Sequence, residues 1–348
     1  MSWLLRASTR LFPKHRRSIQ CRSIIQTWTE EVNPLGALKL DWRCERNVDI
    51  HVSSVDVSKT VGGYKALVSL KGENRDTCRV SVSYNKMSEY GELVISGTEA
   101  VSTTSNDSVC LTVELPPQFD VFVSAIADSG VSVNNMECDT VDINTQNGLV
   151  LLDRLKASLC SVLTSTGDIK SKTLVQGSLN LKTESGLIDV ASARGSTLSL
   201  ETVYGSVLME SVYFNKSSVV SRTGPICLGA LHGDATVRSE TGDICIKTMD
   251  GSLHALTEAG DIDVHVARCG TIHIKTIQGN VKLKVGEDVR LKNSQMAVSA
   301  GSNIDIAAGM CDDTADTDSE ISVETKEGSV QVQRQSWLDS LNINSINR

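Results

Sequence analysis

Cys227, Cys245, Asp263 and His265 stand out first, because Cys227, Cys245 and Asp263 follow one another at a fixed interval of eighteen residues. Thiol, carboxylate and imidazole on one face could hold a soft metal ion. None of the ten cysteines forms a Cys-x-x-Cys pair, so the spacing of the usual zinc and dithiol sites is missing. His254 and His273 are nineteen residues apart, with no nucleophile or orienting carboxylate placed to make them a catalytic pair. Asp168, Asp243 and Asp261 each follow a glycine. The Gly-Gly-x-Gly-x-Asp nonapeptide of calcium-loaded solenoids is absent, so these carboxylates are expected to close turns by bonding local backbone. The reading therefore assigns no catalytic, cofactor-binding or metal residue, and no cofactor.

The interval itself carries more information than any cluster. Gly148, Gly167, Gly186, Gly205, Gly224, Gly242, Gly260 and Gly279 are separated by 18 or 19 residues, an internal repeat that governs every other reading. Two and four residues after each glycine stands a mostly apolar pair, such as Ile188 and Val190 or Ile244 and Ile246. A second pair lies seven and five residues before it, such as Leu198 and Leu200. Period 2 marks strands with one buried face.

Three residues before each glycine comes a hydroxyl: Thr145, Thr164, Thr183, Thr202, Ser221, Ser239, Thr257 and Thr276. By parity it points inward beside the turn, where it can bond otherwise unpaired backbone groups, while the glycine is expected to supply positive φ. Cys160 falls in an inward slot and is expected to be packing.

A single repeat cannot bury its own apolar face, but stacked coils can. The chain is thus expected to be all-β, a parallel β-solenoid of about eleven coils of 18–19 residues with an N-terminal β-rich cap. At ~4.8 Å per rung, the eight glycine-marked coils would span roughly 40 Å. An earlier coil is read at Ser129, with Phe122, Ile126, Val131 and Val133 in buried columns. A further coil is read at Gly328, with a degraded one at Ser302 between it and Gly279.

Residues 38–117 read as cap strands lacking the repeat, among them VDIHVSSVDV, YKALVSL, RVSVSY, ELVISG and VCLTVEL. The solenoid is expected over 118–333, with an acidic insertion at 310–320, and residues 334–348 as a tail that covers the last coil.

Residues 1–26 carry six basic residues and no acid, with Trp3, Leu4, Leu5, Leu11 and Phe12 between the charges. That is the composition of a mitochondrial transit peptide, and the matrix is the expected address. Without it, 28 basic residues face 42 acidic ones, which argues against nucleic acid or anionic lipid as a partner. No run of eighteen apolar residues exists, so no membrane span is expected. Asn106-Asp107-Ser108 and Asn215-Lys216-Ser217 fit the glycosylation pattern, but an organelle-targeted chain does not meet that machinery.

The repeated phrase T-x-x-G-(D/N/S)-(I/V)-x-(I/V) and the lead-in LTVELPPQFDVFVSAIADSG resemble the toast-rack-like, adhesin-like β-solenoid domains common in bacteria. The resemblance covers about residues 45–333. It implies the fold and little about activity, because the family has no agreed reaction and offers no catalytic residues to carry over. A non-enzymatic protein-binding or scaffolding surface in mitochondria is the expected function. The alternative is a carbohydrate-binding or carbohydrate-active β-helix. That would call for a row of exposed aromatics or clustered carboxylates on one face, whereas of the four tryptophans and five tyrosines only Tyr204 and Tyr213 fall within the glycine-marked repeats.

Overall fold

The structure, a computed structural model, describes residues 23–44, 47–55, 64–72, 78–87, 90–99, 109–287, 289, 295–307 and 319–335. The leader up to residue 22, Asn106-Asp107-Ser108, nearly all of the acidic insertion and the tail from 336 onward lie outside the described residues. Within them the elements are β-strands. The N-terminal region contributes β1 (Ser23–Glu31), β2 (Ala37–Trp42), β3 (Val48–Ser54), β4 (Lys65–Gly72), β5 (Cys78–Asn85), β6 (Glu92–Glu99) and β7 (Val109–Leu115). The repeats contribute β8 (Asp120–Asp128), β9 (Gly130–Asn134), β10 (Glu137–Asn147), β11 (Val150–Asp153) and β12 (Leu155–Thr164). Six long strands follow: β13 (Ile169–Thr183), β14 (Ile188–Thr202), β15 (Val207–Ser221), β16 (Ile226–Ser239), β17 (Ile244–Ala259) and β18 (Ile262–Gln278). The far end holds β19 (Val281–Gly286), β20 (Met296–Ser299), β21 (Ile304–Ile306), β22 (Glu320–Glu327) and β23 (Val330–Gln335).

Each coil runs along one wall, turns at its glycine and returns along the facing wall. The long strands belong to two coils at once, bending between walls at positions such as Gly177, Gly233 and Gly251, whose φ values of 136°, 96° and 136° suit a residue without Cβ. Pairing is parallel and in register from coil to coil, so Leu179 lies over Leu198 and Ile226 over Ile244. The inward columns of Val, Ile and Leu from both walls are buried in one aliphatic core along the axis. Cys160 sits in that core, fully buried, as its slot predicts.

The glycine slots are explained by crowding more than by dihedral freedom. Of the eight, only Gly148 and Gly279 have positive φ. At Gly167, Gly186, Gly205 and Gly224 an added Cβ would overlap the carbonyl oxygen of the glycine one coil below. The slot thus needs an absent side chain because the corners of successive coils nest into each other, which corrects the expectation of a positive-φ turn. Beside each slot the hydroxyl is buried, as predicted. Its role also extends across coils. Ser221 Oγ accepts the Gly224 N–H at 3.0 Å and donates to the Gly205 carbonyl at 3.1 Å, and Thr183, Thr257 and Thr276 donate likewise to Gly167, Gly242 and Gly260.

Three further expectations are revised. In the Ser129 coil the inward residues are Val121, Val123 and Ala125, while Phe122 is half-buried and Ile126 exposed. An irregularity in the pairing between Thr145/Asn147 and Ala125/Asp128 shifts the parity that counting back from Ser129 assumes. Val131 and Val133 are buried as expected.

The region before residue 117 also contains solenoid rungs. β2 pairs in parallel with β8 on one wall and β3 with β9 on the other, and β6 and β7 add a further rung beyond them. Among the described residues the antiparallel pairs are β1 with β4, β4 with the outer edge of β7, and β5 with that of β6. β1 starts at Ser23, so ordered pairing begins inside the segment read as leader and ahead of residue 38.

At the far end the coils are stacked out of sequence. β22 and β23 pair with β18 and β19, and β20 and β21 pair outside them. The Gly328 coil therefore lies directly on the Gly279 coil, and the Ser302 coil is outermost rather than between them. The eleven coils read from sequence and the two rungs before residue 117 make thirteen layers.

Candidate functional site

Outward residues stack into columns with the same regularity as inward ones, and the site question becomes which column does something. Cys227, Cys245 and Asp263 do lie side by side, in register on β16, β17 and β18. His265 does not turn toward them as a free ligand: its Nδ1 is 3.1 Å from the Lys247 carbonyl. Asp263 faces Lys284, with Oδ1 and Nζ 3.6 Å apart. Burial pushes both thiols up from their ordinary pKa, although nearby Lys247 works in the opposite direction. Among the described residues no group of three or more His, Cys, Asp or Glu side chains is arranged to hold a metal ion.

His254 and His273 are on the other wall, on adjacent coils, with ring centroids 6.1 Å apart and planes near perpendicular. Burial, with Arg238 and His273 close by, lowers the pKa of His254. The two rings line a shallow groove of about 550 Å³ together with Lys216, Ser218, Asp234 and Thr236.

The aspartates after the glycines bond differently from expectation. Asp168 Oδ1 accepts the Leu187 N–H at 2.9 Å, Asp243 Oδ1 that of Asp261 at 2.8 Å, and Asp261 Oδ1 that of Asn280 at 2.7 Å. Each partner is one coil further on, so these carboxylates tie coil to coil instead of closing their own turns. The backbone donors they satisfy belong to corners that the parallel ladder leaves unpaired.

The most continuous polar column was not visible in the sequence. At the bend opposite the glycine corner, Glu137, Lys156, Gln176, Arg194, Tyr213, His232, Asp250 and Arg268 occupy successive coils in register. Lys156 Nζ contacts Glu137 Oε1, and Arg194 Nη2 donates to Gln176 Oε1 at 2.8 Å. Tyr213 and His232 stack at 4.2 Å with 15° between planes. His232 Nδ1 lies 3.2 Å from Asp250 Oδ2, which Arg268 Nη1 approaches at 3.5 Å. The interval between members varies from 18 to 20 residues because register shifts collect at this bend. Counting from the glycines therefore misses it. Tyr204 sits at the glycine corner instead, so the two repeat tyrosines do not share a face.

The column's contacts fall into three groups, Glu137 with Lys156, Gln176 with Arg194, and Tyr213 through His232 and Asp250 to Arg268, and on a parallel ladder they can present fixed charges and one flat aromatic stack to a partner. At its first coils Glu137, Lys156 and Gln176 also line an open groove of about 440 Å³. No helix among the described residues is long and apolar enough to cross a membrane.

The sequence pattern of the Toastrack DUF4097 family matches residues 39–344, nearly the whole described solenoid and its cap. The chain belongs to that family. Among solved structures, similarity extends to a "putative cell adhesion protein" from Clostridium sporogenes, with 9% identity over 90% of this chain and 100% of that one, at a TM-score of 0.22. A "putative adhesin" from Parabacteroides merdae shares 9% identity over 89% and 95% of the two chains at 0.25. One from Bacteroides fragilis shares 12% over 90% and 98% at 0.27. Family membership rests on the sequence pattern and not on these distant superpositions.

Proposed function

We propose that this Toastrack solenoid is a non-enzymatic scaffold that binds protein partners through its side walls, and that it works inside mitochondria. The observation that carries the binding reading is the eight-coil column from Glu137 to Arg268, whose side chains are held in fixed order by their own mutual contacts. Preorganised side chains lose little freedom on binding, which is how extended solenoid faces gain affinity without a pocket. Tyr213 and Arg194, aromatic and guanidinium side chains on adjacent coils, are the residue types that dominate protein interfaces. The mitochondrial part of the proposal is supported by the acid-free, Arg-rich stretch ahead of β1.

Proximity labelling in intact cells tests both parts. The full chain is expected to label matrix proteins, and a chain lacking residues 1–22 is expected to lose them. Arg194→Glu combined with Tyr213→Ala should remove a subset of those neighbours while leaving the address unchanged. Secretory-pathway neighbours would overturn the location. An unchanged matrix set in the double variant would overturn the column as the binding face.

A further inference from the structure

We propose that Cys227 and Cys245 form a two-coordinate thiolate site for a soft monovalent cation, Cu(I), bridging two coils. The two residues are directly paired on adjacent parallel strands, outward and half-buried, with Leu208 on the next coil to one side and Asp263 on the other. Directly paired residues on neighbouring strands are spaced by ~4.8 Å. This spacing also lies within the Cα window of a disulfide, so the site belongs to the reduced protein. A cation between the two sulfurs fits it: two metal–thiolate bonds of roughly 2.3 Å placed in line span about 4.6 Å.

The donor set decides which ion. Zinc fills four positions, and no third or fourth His, Cys, Asp or Glu donor joins a metal-holding group here among the described residues. Thiolates suit Cu(I), zinc and iron–sulfur clusters, and of these the monovalent ion is the one that a pair of sulfurs can satisfy. His265, the nearest candidate for a third donor in sequence, has its Nδ1 at the Lys247 carbonyl.

Binding breaks two S–H bonds and forms two S–Cu bonds, so two protons leave to solvent, no electron is transferred, and the bis-thiolate complex carries one negative charge.

The test uses the reduced full chain under anaerobic conditions, titrated with Cu(I) against a chromogenic chelator. Wild type is expected to retain one Cu(I) per chain that Cys227→Ser and Cys245→Ser each lose, with affinity at least tenfold weaker, while Cys110→Ser retains it. X-ray absorption on the bound copper should show two sulfur neighbours and no nitrogen. Cys245→Met keeps a soft donor on a longer side chain and is expected to recover part of the affinity, so loss of fold in the serine variants cannot mimic the result. Unchanged retention in both serine variants, a three-coordinate spectrum, or equal competition by Zn(II) would each overturn the assignment.

Discussion

Replacing a single buried threonine by valine should have opposite effects at two equivalent positions of the repeat. Thr164 is fully buried, and its Oγ1 accepts the N–H of Gly167 at 3.1 Å in the corner. Thr164→Val keeps the shape of the side chain and leaves that N–H without its acceptor in a buried corner. An unsatisfied buried donor costs about 1–3 kcal/mol, so a loss near 2 kcal/mol is expected.

Thr145 occupies the same slot one coil earlier, equally buried, yet its hydroxyl has no partner. The coil beneath it has Ser129 in place of a glycine, with its Oγ turned to the Ile126 carbonyl at 3.0 Å, and the pairing irregularity displaces the corner. Thr145→Val therefore removes a desolvated polar atom and nothing else, and is expected to be neutral or to stabilise by up to about 1 kcal/mol. Urea midpoints give the global effect. Because long repeat arrays depart from two-state unfolding, native-state hydrogen exchange over residues 160–170 should be read alongside. Faster exchange there in Thr164→Val only, with Thr145→Val at or above the wild-type midpoint, is the expected outcome. Equal destabilisation by both would refute the hydroxyl ladder as a source of stability.

Gly205→Ala is expected to cost ~3 kcal/mol, since its Cβ would overlap the Gly186 carbonyl and the stack cannot open at one corner; a melting temperature within a degree of wild type would contradict the nesting of corners. Lys182→Ala removes a surface ion pair with Glu201 at 2.8 Å and should change stability by less than about 0.5 kcal/mol, falling further at high salt. Alkaline pH should weaken the fold through Cys160, whose thiol burial pushes up to about 12. The folded state holds this proton more tightly than the unfolded chain, so its contribution is complete below pH 9 and is lost as pH rises from 9 toward 12. Cys160→Ala should fall less steeply than wild type over that window when urea midpoints are compared.

Much of this molecule could be read from its sequence because the repeat places identical demands on every coil. The glycine slots, the hydroxyls and the aliphatic pairs are each enforced by contact with the coil below, so they recur and align. What the sequence concealed depends on contacts without a constant interval. The Glu137–Arg268 column passes through the bend where coils gain or lose a residue, and its members share no residue type. The Asp168 and Asp261 bonds look local in sequence because an aspartate after a glycine fits a turn equally well. β2 and β3 could not be recognised as a rung, since their register partners β8 and β9 lie some eighty residues away and the glycine slot is not repeated between them.

The inverted order of the last two coils bears on how the chain reaches this state during synthesis. Met296–Ile306 leaves the ribosome before Glu320–Gln335, at a time when the platform made by β18 and β19 is vacant. The earlier segment could settle there, since Met296 and Val298 offer apolar residues to the same register that Ile321 and Val323 finally fill. If it does, the latecomer has to displace it to reach the final pairing. Strands of four and three residues, with Ile304 and Ile306 still exposed, make a weaker occupant than strands of eight and six, so exchange runs toward the longer pair. The displaced segment becomes the lid.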